Sequence, residues 1–239
     1  MKRKGVFLAV CVFSALLLHG QEAGGDEATI EEYYLSQDIE LRLIQDEAFS
    51  NSEELKLLAL RNLERMVDEG RMSDEDAAFA ILETLATETI SREVRVGNRT
   101  VNNFPEVRRQ ACNLLGRIGG EKAKDSLLTV VLKEEEPMVV AEAVYALGRI
   151  GLNENEEVTN VLAYRLHQEN IKPVPDNNLA FSTLLAVEKL AQANDGVTNP
   201  ELINAIGEVI TQGNYVRMVK LKALSVLEEL RKIAVERKR

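Results

Sequence analysis

The 239-residue chain has no tryptophan, only 5% aromatic residues, five prolines, two cysteines and two histidines. Each scarcity excludes something. Few aromatics beside abundant alanine and leucine suit packed helices better than sheets. Cys11 lies in an apolar leader described below, so export leaves Cys112 alone and no intramolecular disulfide can form. His167 is likewise the single histidine outside that leader. No Ser-His-Asp arrangement can be recognised by spacing, and Cys112 has no obvious histidine to activate it. The thiol and imidazole clusters that bind transition metals are absent. Carboxylates are plentiful but dispersed along helix surfaces, and "DEGRMSDED" at 68–76 lacks EF-hand spacing. No residue is therefore assigned to catalysis, to a cofactor or to a metal.

Positive charge is also short. Lys and Arg number 29 against 39 Asp and Glu, for a net charge of −10. An acidic chain is poorly suited to DNA, RNA or anionic lipid, whose phosphates need Lys and Arg. At 45% hydrophobic and 28% charged, it has enough apolar material to fold around a core.

What is present divides at residue 20. Lys2-Arg3-Lys4 precedes an apolar run from Gly5 to Leu18, and a polar "HGQEAGG" follows. This is the layout of a secretory signal peptide over 1–20, and the run is short for a membrane span. Gly20 suits a cleavage site and Leu18 does not, which leaves an uncleaved anchor as the alternative and the only membrane contact expected. Loss of Lys2, Arg3 and Lys4 carries the charge from −10 to −13. Export without a disulfide favours a bacterial periplasm. Residues 21–28 read as a flexible N-terminus, 29–236 as the folded region and 237–239 as a basic tail.

The folded region repeats. "PEVRRQACNLLGRIGG" at 105–120 aligns with "PMVVAEAVYALGRIGL" at 137–152, thirty-two residues later. Fainter copies keep the same four positions as Leu55-Ala59-Leu63-Met66, Leu179-Thr183-Val187-Leu190 and Val219-Ala223-Leu227-Leu230. Spacing of i, i+4, i+8, i+11 marks one face of a helix. Five copies make an array. A second amphipathic segment follows each of the first four, near 74–88, 121–134, 155–168 and 199–211, and one further helix spans about 29–48. Asn199-Pro200 supplies an N-cap and a proline at N1. Ser73-x-x-Asp76, Asn153-x-x-Glu156 and Asn51-x-x-Glu54 have the form of capping boxes.

The motifs "VRRQACNLLGRIGG" and "VVAEAVYALGRIG" resemble HEAT repeats, in the short form also seen in phycobilisome lyases. The resemblance covers about 50–236. It implies an all-α superhelical solenoid of stacked helix pairs, here with a small hairpin inserted, and carries no activity with it. It also disposes of one chemical reading. A phosphate loop needs its glycines between a strand and a helix N-terminus. These glycines end helices, so Gly119 and Gly151 are expected at left-handed C′ positions. Gly116 and Gly148 fall inside helices, where they should permit close helix approach.

Two longer connections break the rhythm. "SREVRVGNRTVNNF" at 91–104 reads as a hairpin around Gly97-Asn98, and "NIKPVPDNN" at 170–178 as an extended loop. Both join a second helix to the next first helix and so share one edge. Such insertions mark a partner's side or simply tolerated loop growth. The resemblance further implies that second helices line a concave binding surface. Asn160, Tyr164 and His167 occupy the polar face of one, beside Thr129 and Lys133 on the preceding one and Glu208 on the following one. These six are the candidate partner-binding residues, with Tyr164 as anchor. A merely solvated face is the plain alternative.

The ends differ in charge. Residues 22–54 hold eleven acids and one base, and 217–239 hold eight bases and three acids. Solubility is the plainer explanation; head-to-tail association, or docking of the basic tail "RKIAVERKR" on an acidic partner, is the alternative. The expectation is an exported, non-catalytic adaptor that binds a protein partner. The alternative implied by the lyase resemblance is a lyase or chaperone-like protein holding a small pigment or cofactor.

Overall fold

The computed structural model describes residues 30–91 and 93–237. The leader read at 1–20, the N-terminus at 21–28 and the last two residues of the basic tail lie outside them. Ile39–Arg239 forms one compact unit. Its elements are the C-terminal half of α1 (Ile30–Ala48), then α2 (Glu53–Asp68), α3 (Ala77–Thr87), β1 (Arg95–Val96), β2 (Arg99–Thr100), α4 (Pro105–Ile118), α5 (Gly120–Lys133), α6 (Pro137–Ile150), α7 (Glu157–Asn170), α8 (Asn177–Ala193), α9 (Pro200–Thr211) and α10 (Arg217–Glu236). No helix among the described residues is long and apolar enough to cross a membrane.

The helices start largely where side chains can satisfy their free N–H groups. The Asn199 side chain accepts from Leu202 N at 2.9 Å, with Pro200 at N1 as expected. Asp176 does the same for Leu179 N at 2.8 Å. Three expected boxes are shifted. Ser52, not Asn51, caps α2 through Leu55 N at 3.4 Å. Asp76 rather than Ser73 is the N-cap of α3. Its carboxylate reaches back to Ser73 N at 2.6 Å, which closes a turn before the helix instead of starting it. Asn153 precedes a 3-10 turn over Glu154–Glu156, where Asn155 and Glu156 have positive φ. Its Oδ1 accepts from Thr159 N, six residues on, so α7 begins at Glu157.

The pairs stack in two layers. First helices α2, α4, α6, α8 and α10 pack in succession, and second helices α3, α5, α7 and α9 do likewise. Crossings α3 on α4, α5 on α6, α7 on α8 and α9 on α10 join the layers. The core lies between them. Ala59, Ala111, Ala143 and Ala223, which hold one repeat position, are all fully buried, and so are Leu63, Leu115, Leu147 and Val187 at the next. A side chain of this kind contributes roughly 1.5–3 kcal/mol when taken out of water. The array is thus an all-α solenoid, as expected.

Close approach holds the middle of the first layer together. A Cβ on Gly116 would lie 2.6 Å from Ala146 Cβ, and one on Gly148 would lie 2.8 Å from Ala186 Cβ. The same repeat position is Glu in the outer copies, and in two of them the contact becomes an ion pair. Glu64 meets Arg117 at 2.8 Å and Glu188 meets Lys222 at 2.7 Å. Gly151 takes the expected left-handed conformation at the end of α6. Gly119 departs from it. Its φ of 74° is positive but its ψ of −162° is extended, and this turn lets α5 begin at the next residue.

The insertion at 91–104 is a hairpin, pairing Arg95 with Thr100 and Val96 with Arg99 across a turn with Gly97 at positive φ. Val101 N to Val94 O at 2.9 Å extends it. The second insertion is shorter than expected, because α7 runs to Asn170 and α8 starts at Asn177. Gly148→Ala should cost about 1–3 kcal/mol of stability through overpacking against α8, more than the ~1 kcal/mol gained in helix propensity. Gly207→Ala in α9, where no atom lies within 4 Å of the added Cβ, should instead gain about 0.5–1 kcal/mol. Urea unfolding of both variants reads the contrast, and equal stabilities would refute the close-approach account.

Candidate protein-binding surface on the second helices

The candidate residues project from the second layer, and the structure gathers some of them and separates others. Tyr164 and His167 lie one turn apart on α7 and face α9. His167 Nδ1 is 3.0 Å from Glu208 Oε2. The Asn170 amide donates to the same carboxylate oxygen at 3.1 Å and to Ala205 O at 2.9 Å. Tyr215 O–H, buried beneath, donates to Asn170 Oδ1 at 2.8 Å. A continuous hydrogen-bonded chain therefore runs from the core to the imidazole. Ala163, Tyr164, His167, Asn204 and Glu208 line a groove of about 320 Å³ between α7 and α9. The Tyr164 side chain stands 53% exposed at its edge.

Electrostatics act on two members of this chain, Glu208 and Tyr215. Burial alone pushes the Glu208 carboxyl up, but hydrogen bonds from His167 and Asn170 overcome it and hold the group below the usual carboxylate range. Burial, together with the Glu169, Asp176 and Glu208 carboxylates, pushes the Tyr215 phenol well up, so it stays a donor.

The other three candidates lie apart from this groove. Asn160 is committed to structure, because its Oδ1 accepts from Asn199 Nδ2 at 2.6 Å and ties α7 to the cap of α9. Thr129 bonds back to Asp125 O at 3.1 Å. It lines a separate recess of about 390 Å³ with Glu83, Thr87 and Ser126, between α3 and α5. Lys133, the last residue of α5, borders an edge recess of about 730 Å³ that the hairpin residues Arg95 and Thr100 help to form. The single stripe expected from periodicity is in fact three separate recesses.

Two buried cations escape a reading by periodicity. Arg108 is 2% exposed and grips Glu134, with Nε to Oε2 at 2.6 Å. Lys56 pairs with Glu88 at 2.9 Å and donates to Ala48 O at 2.7 Å. Both occupy one repeat position, and both partners cap the C-terminus of the second helix in the same pair. A cation there also faces the negative end of that helix. The one trace they leave in the sequence is a base at the same place in two copies of an otherwise apolar helix face, which does not point to either partner.

Among the described residues Glu121, Asp125 and Glu157 bring carboxylate oxygens within 4.8 Å of one another. The Lys124 ammonium lies among them, at 2.5 Å from Glu121, 3.6 Å from Asp125 and in contact with Glu157. Burial works against its charge, but the bonds to Glu121 and Glu157 raise its pKa above the ordinary value. The cluster thus already holds a cation of its own.

Cys112 is fully buried, as its repeat position implied, and burial together with the Glu142 and Glu134 charges pushes its thiol far up. It should resist an aromatic disulfide reagent in the native state and react only as fast as the chain unfolds; rapid labelling would place it elsewhere. Glu208 gives a pH test. Its folded pKa lies below the ordinary 4.5, so the stability it adds is complete above that value and is lost as pH falls through the folded pKa. Glu208→Gln should flatten the decline of melting temperature over that acid range. An unchanged acid profile would mean that the His167 and Asn170 bonds do not hold the charged form.

Residues 98–174 match a family model for HEAT repeats. No curated protein matches the chain. The matched stretch runs from the hairpin through α4, α5, α6 and α7, and it contains both clear repeats. HEAT repeats commonly serve as protein-interaction scaffolds, since stacking leaves long helix faces open. Residues 98–174 are thus similar to HEAT repeats, and the same pairwise stacking continues on either side of that segment.

Proposed function

We propose that the protein is an exported, non-catalytic adaptor that holds a partner protein against its second-helix layer. The groove between α7 and α9 is the centre of that site, and the hairpin edge bordered by Lys133 flanks it. The observation that carries the reading is the exposed Tyr164 ring beside a groove whose polar groups are already fixed by the Tyr215, Asn170, Glu208 and His167 chain. A rigid aromatic at the edge of a pre-ordered polar groove has the character of an interface anchor. The basic stretch at 2–4 and apolar run at 5–18 support export, and a periplasmic address is consistent with a mature chain that has one cysteine. The net acidic charge supports a protein partner over a nucleic acid.

A photo-crosslinker placed at Tyr164 in cells should capture one specific protein. Tyr164→Ala should then weaken that association by about 2 kcal/mol, or roughly thirtyfold, with helical content unchanged. Association that survives intact when Tyr164, His167 and both insertions are changed together would show that the partner binds another surface.

A further inference from the structure

Among the described residues, α10 leaves open, on one face, a position that is buried on each earlier first helix. Contacts between repeats identify that face: Gly116 lies on Ala146, Gly148 on Ala186, Asn113 donates to Glu142 at 2.7 Å, and Glu188 meets Lys222. One turn before these glycines, Leu60, Cys112, Val144 and Leu184 share a repeat position and are at most 1% exposed. The matching residue on α10 is Leu224, and it is 43% exposed. Leu221, three residues earlier on the same side, is exposed where its equivalent Ala141 is buried, and Met218 continues the strip at a position that is also exposed as Met138 on α6. The sequence thus keeps apolar residues on α10 where the equivalent residues of earlier first helices are buried by the next repeat.

The opposite end of the unit has the complementary chemistry. Ile39 and Leu43 are exposed on α1 at i and i+4, opposite the buried Ile44 and Ala48, with exposed Asp46 next along the same side. Residues 39–54 hold five acids and one base, whereas 217–239 hold eight bases and three acids. Two apolar strips in fields of opposite sign, one at each end of a single chain, fit each other and repel their own kind.

We propose that copies of this protein stack end to end, with Met218, Leu221 and Leu224 of one copy covered by Ile39 and Leu43 of the next. The second copy covers the face of α10 that the described residues leave open. The contact is heterologous, so it leaves one free end of each type and can extend beyond a dimer.

Sedimentation velocity of the purified protein over a rising concentration series tests this. The wild type should move from monomer to dimer and longer species, less so as salt rises. The double variant Leu221→Asp, Leu224→Asp and the separate variant Leu43→Asp should each weaken self-association at least about tenfold. Mixed in equal amounts, they should form a dimer that does not grow, because each supplies the face that the other has lost. Met218→Glu, at a more exposed position, should reproduce the loss if the double variant melts early. A wild type that stays monomeric throughout would overturn the proposal. So would variants that associate like the wild type, or a mixture of well-folded variants that remains monomeric.

Discussion

No helix pair in this protein can bury its own apolar face, and the structure depends on the neighbour that does so. In the middle of the array the dependence is strictest, because Gly116 and Gly148 bring α4, α6 and α8 to a spacing that leaves no room for a methyl group. Each glycine gives up helix propensity worth about 0.8–1 kcal/mol, and close packing between backbones offsets it. Outside that centre the same position carries Glu64 and Glu188. Their ion pairs with Arg117 and Lys222 span a wider gap and are partly open to water, where such pairs add little. Cohesion between first helices is therefore greatest in the two repeats with the strongest motif and falls toward the ends.

The two layers differ in their interhelical contacts. First helices meet most closely through glycine and alanine at the centre of the array, with Glu64–Arg117, Asn113–Glu142 and Glu188–Lys222 beside them. Second helices meet through longer polar groups, such as Ser126 with Glu83 at 2.6 Å and His167 with Glu208. Polar contacts of this kind hold two helices side by side without filling the space between them, and recesses remain. The first layer keeps a recess of its own where α6 and α8 part at their N-terminal ends, about 350 Å³ and lined by Met138, Tyr145 and Ser182.

Periodicity made the first layer readable from residues alone. Ala111, Ala143 and Leu147 sit at positions that only a buried helix face explains, and all three are fully buried. The hairpin turn at Gly97-Asn98 and the Asn199-Pro200 cap were legible for the same reason, since each rests on a local backbone preference. Other features depend on tertiary partners that no local pattern encodes. Asn160 looks like a free surface residue until the cap of α9 arrives beside it. Arg108 and Lys56 look solvated until second-helix carboxylates enclose them. Thr129 and Lys133 lie one turn apart on α5, but α3 forms the recess at Thr129 while the hairpin forms the one at Lys133, and Tyr164 on α7 faces a third against α9. Ser52 displaces Asn51 as a cap because the choice between adjacent residues is set by one backbone turn. Element boundaries here move by one to three residues for causes of that size.

The groove between α7 and α9 shows how such a polar layer can still be rigid. Its surface imidazole is fixed by Glu208, that carboxylate by Asn170, and Asn170 by a phenol buried under α9. Every member has its hydrogen-bonding partner supplied from within the protein, so the groove keeps its form before anything binds. A partner that packs on Tyr164 then orders one ring rather than a whole patch of loose side chains. The buried Tyr215 lies just before α10, and Asn170 closes α7, so the groove is anchored to two successive repeats at once. Its shape is consequently a property of the stacking itself, and a change that loosened α10 from α8 would be felt at His167 through Tyr215 and Asn170.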